Sequence, residues 1–183
     1  METLKDIRQA AQHAFATGQL HYSIELYNSI FQDKKYDPSI VDVINYGALL
    51  RKTRRLTEAS LHYIKYTKIF SDDLTLIQNA SNCWIELQDF NQSRSVLNAA
   101  LAKNPNNTKL MLSLGFTELS AENESKASTI FENILRLDSN NFDALLNLGV
   151  SKAKAGDLEE ALACFRKANQ NENNYQLLKA NII

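Results

Sequence analysis

The chain has 183 residues, 44 % of them hydrophobic and 22 % charged, with a formal net charge of -1. That balance argues against a dedicated nucleic-acid binder, which carries a strong basic excess. The lack of any apolar run of about 18 residues argues against a transmembrane helix. Charges are scattered through METLKDIRQAAQHAF at the N-terminus, so no signal peptide is read there and the expected location is cytoplasmic. Cys83 and Cys164 lack metal-type spacing and read as packing thiols. Asparagine occurs 19 times, and the N-x-S/T triplets at Asn79, Asn91, Asn106 and Asn123 read as accidents of that composition.

Apolar residues recur at three- and four-residue steps almost everywhere, with only two prolines and five glycines as breakers. This pattern predicts helix from end to end, cut into short pieces. In chain order, the pieces form units at 4–39, 40–73, 74–107, 108–141 and 142–175. The last four starts are 34 residues apart, and the first unit runs two residues long through YDPS. Position 8 of the units carries Ala11, Gly47, Ser81, Gly115 and Gly149. Position 20 carries Ser23, Ala59, Ser93, Ala127 and Ala161, and position 24 carries Tyr27, Tyr63, Leu97, Phe131 and Phe165. A fixed period of this kind is the mark of a repeat architecture.

A small residue at 8, alanine at 20 and an aromatic at 24 resemble the tetratricopeptide repeat (TPR), most clearly in LLNLGVSKAKAGDLEEALACFRKA. The resemblance covers residues 4 to 175 and implies an all-α, right-handed superhelical solenoid of antiparallel helix pairs. Two departures stand out. The proline expected at position 32 survives only as Pro105, with Lys35, Ser71, Ser139 and Asn173 elsewhere. The tyrosine expected at position 11 is replaced by Ala14, Leu50, Trp84, Glu118 and Lys152. Physically, small residues at 8 and 20 let two helices approach, which offsets the helix propensity lost at Gly149. Asp72, Asp73, Asn106, Asn107, Asn140 and Asn141 suit N-caps for the first helix of the following unit. No unit buries its apolar face alone, so neighbours must stack.

The resemblance puts positions 2, 5, 6, 9, 12 and 13 on a concave groove. Position 6 carries Gln9, Asn45, Asn79, Ser113 and Asn147, a ladder of amides broken once. It resembles the asparagine ladder of O-linked N-acetylglucosamine transferase TPR regions, where amides hold an extended peptide. An amide offers donor and acceptor together and can pair with any peptide unit. The alternative is a merely solvated row in an asparagine-rich chain. With Arg8, Gln12, Gln78 and Asn82, these residues form the candidate peptide groove. The carboxylate clamp known from TPR proteins that grip acidic chaperone tails is poorly matched. Arg8, Gln12, Asn45, Thr75 and Asn79 lack both cations of the third unit, and Ile44, Ala48, Asn79, Lys109 and Ser113 fit worse. RKTRR places Arg51, Lys52, Arg54 and Arg55 at the turn of the second unit, either a solvated turn or a patch for an acidic partner.

No catalytic constellation or cofactor motif stands out. His13, His21 and His62 lie on different helices, and Glu159–Glu160 and Asp72–Asp73 sit at helix starts where carboxylates suit the dipole. The expected partner is a protein or peptide, with no nucleic acid and no membrane. Three readings follow. The first is a non-enzymatic scaffold that holds an extended peptide or partner helix. The second is the TPR front of a longer enzyme of glycosyltransferase or sulfotransferase type. The third is a self-assembling array whose open ends dock. Residues 176–183 continue the register and end on two isoleucines, which fits a truncated further repeat or a short capping helix.

Overall fold

The structure, a computed structural model, describes residues 3–33, 35–70 and 73–170. Ser71, Asp72, Asn173 and the segment 176–183 lie outside the described residues. Among the described residues ten helices follow in chain order: α1 Leu4–Ala16, α2 Leu20–Gln32, α3 Ile40–Lys52, α4 Leu56–Tyr66 and α5 Leu74–Glu86, then α6 Phe90–Lys103, α7 Thr108–Ser120, α8 Glu124–Leu137, α9 Phe142–Ala155 and α10 Leu158–Gln170. No strand occurs among the described residues. Two compact units divide the chain, 1–87 with α1–α5 and 88–183 with α6–α10. No described helix is long and apolar enough to cross a membrane.

The starts of the odd-numbered helices are fixed by side-chain caps, which satisfy backbone N–H groups that lack partners in the helix. Thr3 and Asp6 form a capping box at α1. Ser39, Asp73, Asn107 and Asn141 accept from backbone N–H groups at α3, α5, α7 and α9.

The turns after the odd-numbered helices share one backbone signature. Gly18, Arg54, Gln88, Glu122 and Gly156, each at position 15 of its repeat, have φ of 79°, 63°, 58°, 58° and 93°. That is the left-handed conformation that ends helices. In four of these turns the next N–H reaches back to close the end: Gln19 to the Ala14 carbonyl, Arg55 to Leu50, Asn123 to Glu118 and Asp157 to Lys152, all at 2.8–2.9 Å.

In three of the repeats a glycine packs directly against an aromatic ring. A Cβ built on Gly47 would lie 2.2 Å from Tyr63 Cζ, and one on Gly115 would lie 2.4 Å from Phe131 Cε1. At Gly149 it would lie 2.5 Å from Phe165 Cε1. Glycine is therefore required by the ring behind it. The core of unit 1–87 gathers Tyr27, Ile30, Val43, Leu49, Tyr63 and Leu76, and that of unit 88–183 gathers Ala127, Phe131, Ile134, Ala144 and Leu148. Several serines that replace apolar residues inside find partners, as most buried hydroxyls do. Ser23 donates to the Ala11 carbonyl at 2.8 Å, Ser93 pairs with Thr117 at 2.8 Å and Ser128 with Ser151 at 2.9 Å.

Two of the position-11 departures have an electrostatic reason. Glu118 is buried and receives both Arg94 Nε at 2.7 Å and Arg94 Nη2 at 3.0 Å, with Asn123 Nδ2 at 2.9 Å. The Arg94 hydrogen bonds hold the Glu118 carboxyl below its ordinary range. Lys152 Nζ sits 2.7 Å from Glu160 and 3.7 Å from Glu132. Charge pairs therefore stand where the resemblance leads one to expect tyrosine.

Candidate functional site

On α3, Ile44, Ala48, Arg51 and Lys52 fall at helical spacing on one face, away from the buried Val43, Tyr46 and Leu50. The absence of a side chain at Gly47 lets the Tyr63 ring approach α3 closely, and its hydroxyl donates to the Ile44 carbonyl at 3.4 Å. Tyr63 thereby lines a depression of about 520 Å³ together with Ile44, Ala48, Arg51, Lys52, Arg54, Asn79 and Glu86. All of these residues belong to unit 1–87. The depression combines an aliphatic part with an amide and a charged rim.

Glu86 links the rim charges. Arg51 Nε donates to one of its carboxylate oxygens and Arg54 Nη1 to the other, the latter at 2.9 Å. Lys52 makes a different contact, with Nζ over the Phe15 ring at 5.1 Å from the centroid. Arg55 turns away and bonds Glu58 through Nε at 2.7 Å. The RKTRR run is therefore divided. Three of its cations line the depression, and the fourth belongs to a local helix-start pair.

The groove candidates are divided as well. Arg8 and Gln12 are held by Asp42, which is 0 % exposed. Arg8 Nε lies 2.8 Å from one carboxylate oxygen and Gln12 Nε2 donates at 2.9 Å. Tyr36 and Ser39 hydroxyls donate at 2.7 and 2.6 Å. Burial alone would raise the Asp42 carboxyl, but the bonds from Ser39, Tyr36, Arg8 and Gln12 outweigh it and the result is lowered. Tyr36 and Ser39 come from the YDPS extension, so the two additional residues of the first repeat complete a buried polar cluster. Gln9 is exposed, and Asn45, Gln78, Asn79 and Asn82 are half-buried. In unit 88–183, the Ser113 hydroxyl donates to the Lys109 carbonyl at 3.1 Å and Asn147 Nδ2 to the Asp143 carbonyl at 2.7 Å. Of the nine groove candidates, Asn79 is the one that lines the depression.

The sequence reading did not single out Glu86, Tyr63 as a lining residue, or the surroundings of His62. A signal existed for Glu86: it stands at position 13 of its repeat, one repeat after Arg51 and Lys52 at positions 12 and 13. The His62 ring lies among aromatic rings, with centroids 5.0 Å from Phe31, 4.9 Å from Tyr46 and 5.0 Å from Tyr66. Its Nε2 is 3.0 Å from the Val43 carbonyl. Burial pulls its pKa down to about 4, which leaves a neutral packing group rather than a base poised near neutrality. Trp84 is buried, as a packing residue would be. Both cysteines are free, and burial pushes the Cys83 thiol up to about 11, away from thiolate chemistry. Among the described residues, no cluster of three or more histidine, cysteine, aspartate or glutamate side chains is placed to hold a metal.

Residues 118–182 match the sequence profile of the tetratricopeptide repeat. No curated protein matches the chain. Several solved structures share the fold. A tetratricopeptide repeat protein from Parabacteroides merdae aligns with a TM-score of 0.76 at 18 % identity, over 96 % of this chain and 69 % of that one. MamA from Desulfovibrio magneticus RS-1, from residue 41 to its end, aligns at 0.72 and 17 % identity, over 94 % and 97 %. A double mutant of MamA RS-1 aligns at 0.71 and 17 %, over 95 % and 97 %. At such identities the likeness concerns the fold.

Proposed function

From a chain that belongs to the tetratricopeptide repeat family, we infer a non-enzymatic scaffold that holds an extended peptide of a partner protein against the exposed faces of α3 and α5. The observation that carries this reading is the depression between Ile44 and Ala48 on α3 and Asn79 on α5. An extended peptide presents a backbone donor and acceptor at every residue and side chains on alternate sides. The Asn79 amide can answer the backbone with both a donor and an acceptor. The aliphatic floor takes one side chain, and its burial is favourable.

Such a surface selects by shape and a few polar contacts. It predicts modest affinity, because ordering a free peptide offsets much of the contact energy. The test is selection of random linear peptides displayed on phage, run in parallel on wild type and on Asn79→Ala. Linear peptides should be enriched by wild type and lost on the variant, at equal thermal melting of the two proteins. Equal enrichment on both would move the interface off this face.

A further inference from the structure

The rim of the depression carries more charge than packing requires. Arg51, Lys52 and Arg54 line it, and Glu86 is the one carboxylate lining it. Two positive charges are therefore in excess at a concave surface, where partly apolar walls strengthen the local field. Arg54 is 71 % exposed at its side chain and Arg51 44 %. Surface pairs of this kind contribute little to stability. Both guanidiniums converge on a single carboxylate from α5, and among the described residues Lys52 is paired only with a ring face. Glu86 thus occupies the position in which a ligand carboxylate would be received.

We propose that this depression binds a peptide carrying a carboxylate side chain two residues from an aliphatic one, the carboxylate on Arg51, Lys52 and Arg54 and the aliphatic group on Ile44 and Ala48. Two residues apart in an extended peptide, both side chains point to the same side, about 7 Å apart. The rise along α3 from Ala48 to Lys52 is about 6 Å and from Ile44 to Arg51 about 10 Å, which brackets that span. Glu86 acts as an internal competitor: it keeps the two arginines aligned and is displaced or shared when the ligand carboxylate arrives. Arginine suits this exchange because its planar fork accepts a second carboxylate with little reordering. The inference rests on the peptide-binding reading above and adds the chemistry of the ligand.

The test uses two synthetic probes, acetyl-Gly-Leu-Ser-Glu-Gly-amide and its glutamine counterpart, titrated into the full-length 15N-labelled chain. The acidic probe should shift the amides of Ile44, Ala48, Lys52 and Asn79 and bind about fivefold or more tightly than the glutamine probe at low salt. The difference should shrink at high salt, as expected for partly exposed charges. Lys52→Gln should weaken the acidic probe by about threefold and leave the glutamine probe unchanged, in line with the small worth of a single exposed charge. Glu86→Gln should strengthen the acidic probe, which a residue acting only in structure would not do. Equal binding of the two probes, no shifts at these amides, or weaker binding in Glu86→Gln would each overturn the inference. The phage selection separates this from failure of the parent reading. Linear peptides enriched without acidic residues would leave the scaffold standing and remove only its proposed ligand chemistry.

Discussion

His62 packs against Phe31, Tyr46 and Tyr66 and meets the Val43 carbonyl through Nε2. A charged imidazolium there would lose its hydration, and burial accordingly lowers its pKa from 6.5 to about 4. The unfolded chain protonates near 6.5 and the folded chain does not until about 4. Between those values the unfolded state binds more protons, so stability falls as the pH drops through this window. Urea unfolding measured at intervals from pH 7 to pH 5 should show this slope for wild type and lose it in His62→Gln. Asp42 and Glu118 add their own slope mainly below pH 5, because in the unfolded chain their carboxylates protonate near 3.8 and 4.5. A slope that survives the substitution would assign the proton elsewhere.

At the scale of the element, the repeated left-handed residue after each odd-numbered helix decides how sharply the chain reverses. Gly18 and Gly156 meet the conformation without strain, while Arg54, Gln88 and Glu122 adopt it with a side chain present. A Cβ in that region costs roughly 1–2 kcal/mol. Arg54 has a use for its side chain, which reaches Glu86. Among the described residues, no comparable bond is seen for the exposed Glu122 side chain. Glu122→Gly should therefore raise the unfolding midpoint, by an amount near 0.5–1 kcal/mol once the added freedom of the unfolded chain is subtracted. Differential scanning calorimetry checks it, and a lower midpoint would mean the side chain is held more firmly than the backbone is strained.

For the whole molecule, stability in repeat arrays is approximately a sum of terms within and between neighbouring repeats. Arg94 and Glu118, 24 residues apart, make such a neighbour term between α6 and α7. Removing one partner of a buried pair is costly, because the other charge stays desolvated. Arg94→Ala should reduce hydrogen-exchange protection in α6, α7 and α8 before other helices, with a loss of about 2–3 kcal/mol there, allowing for the partial exposure of Arg94. Loss spread evenly over the chain would contradict the nearest-neighbour picture. The same distinction explains what was legible in the sequence. Contacts inside a helix pair recur at fixed spacing, so Gly47, Gly115 and Gly149 and the aromatic residues behind them announced themselves. Contacts between repeats follow no such rule. Arg8 and Gln12 look like groove residues by position, yet a buried carboxylate at Asp42 claims both. Arg51 and Arg54 are legible as a basic run, but their convergence on Glu86 depends on how α5 packs against α4. The depression was visible in part, through Asn79 and the cations, and its acidic and aromatic components were not.

The Asp42 cluster has a consequence for modularity. Solenoids are commonly thought of as strings of exchangeable units, from which one can be cut or swapped at little cost. Here the second pair keeps an ionised carboxylate in its interior, and all four of the side chains that bond it, Arg8, Gln12, Tyr36 and Ser39, precede Ile40. A chain begun at Ile40 would keep the charge and lose every one of those donors. The first two helix pairs are therefore one indivisible cassette, and any shortened or recombined version of this array has to carry both or replace Asp42.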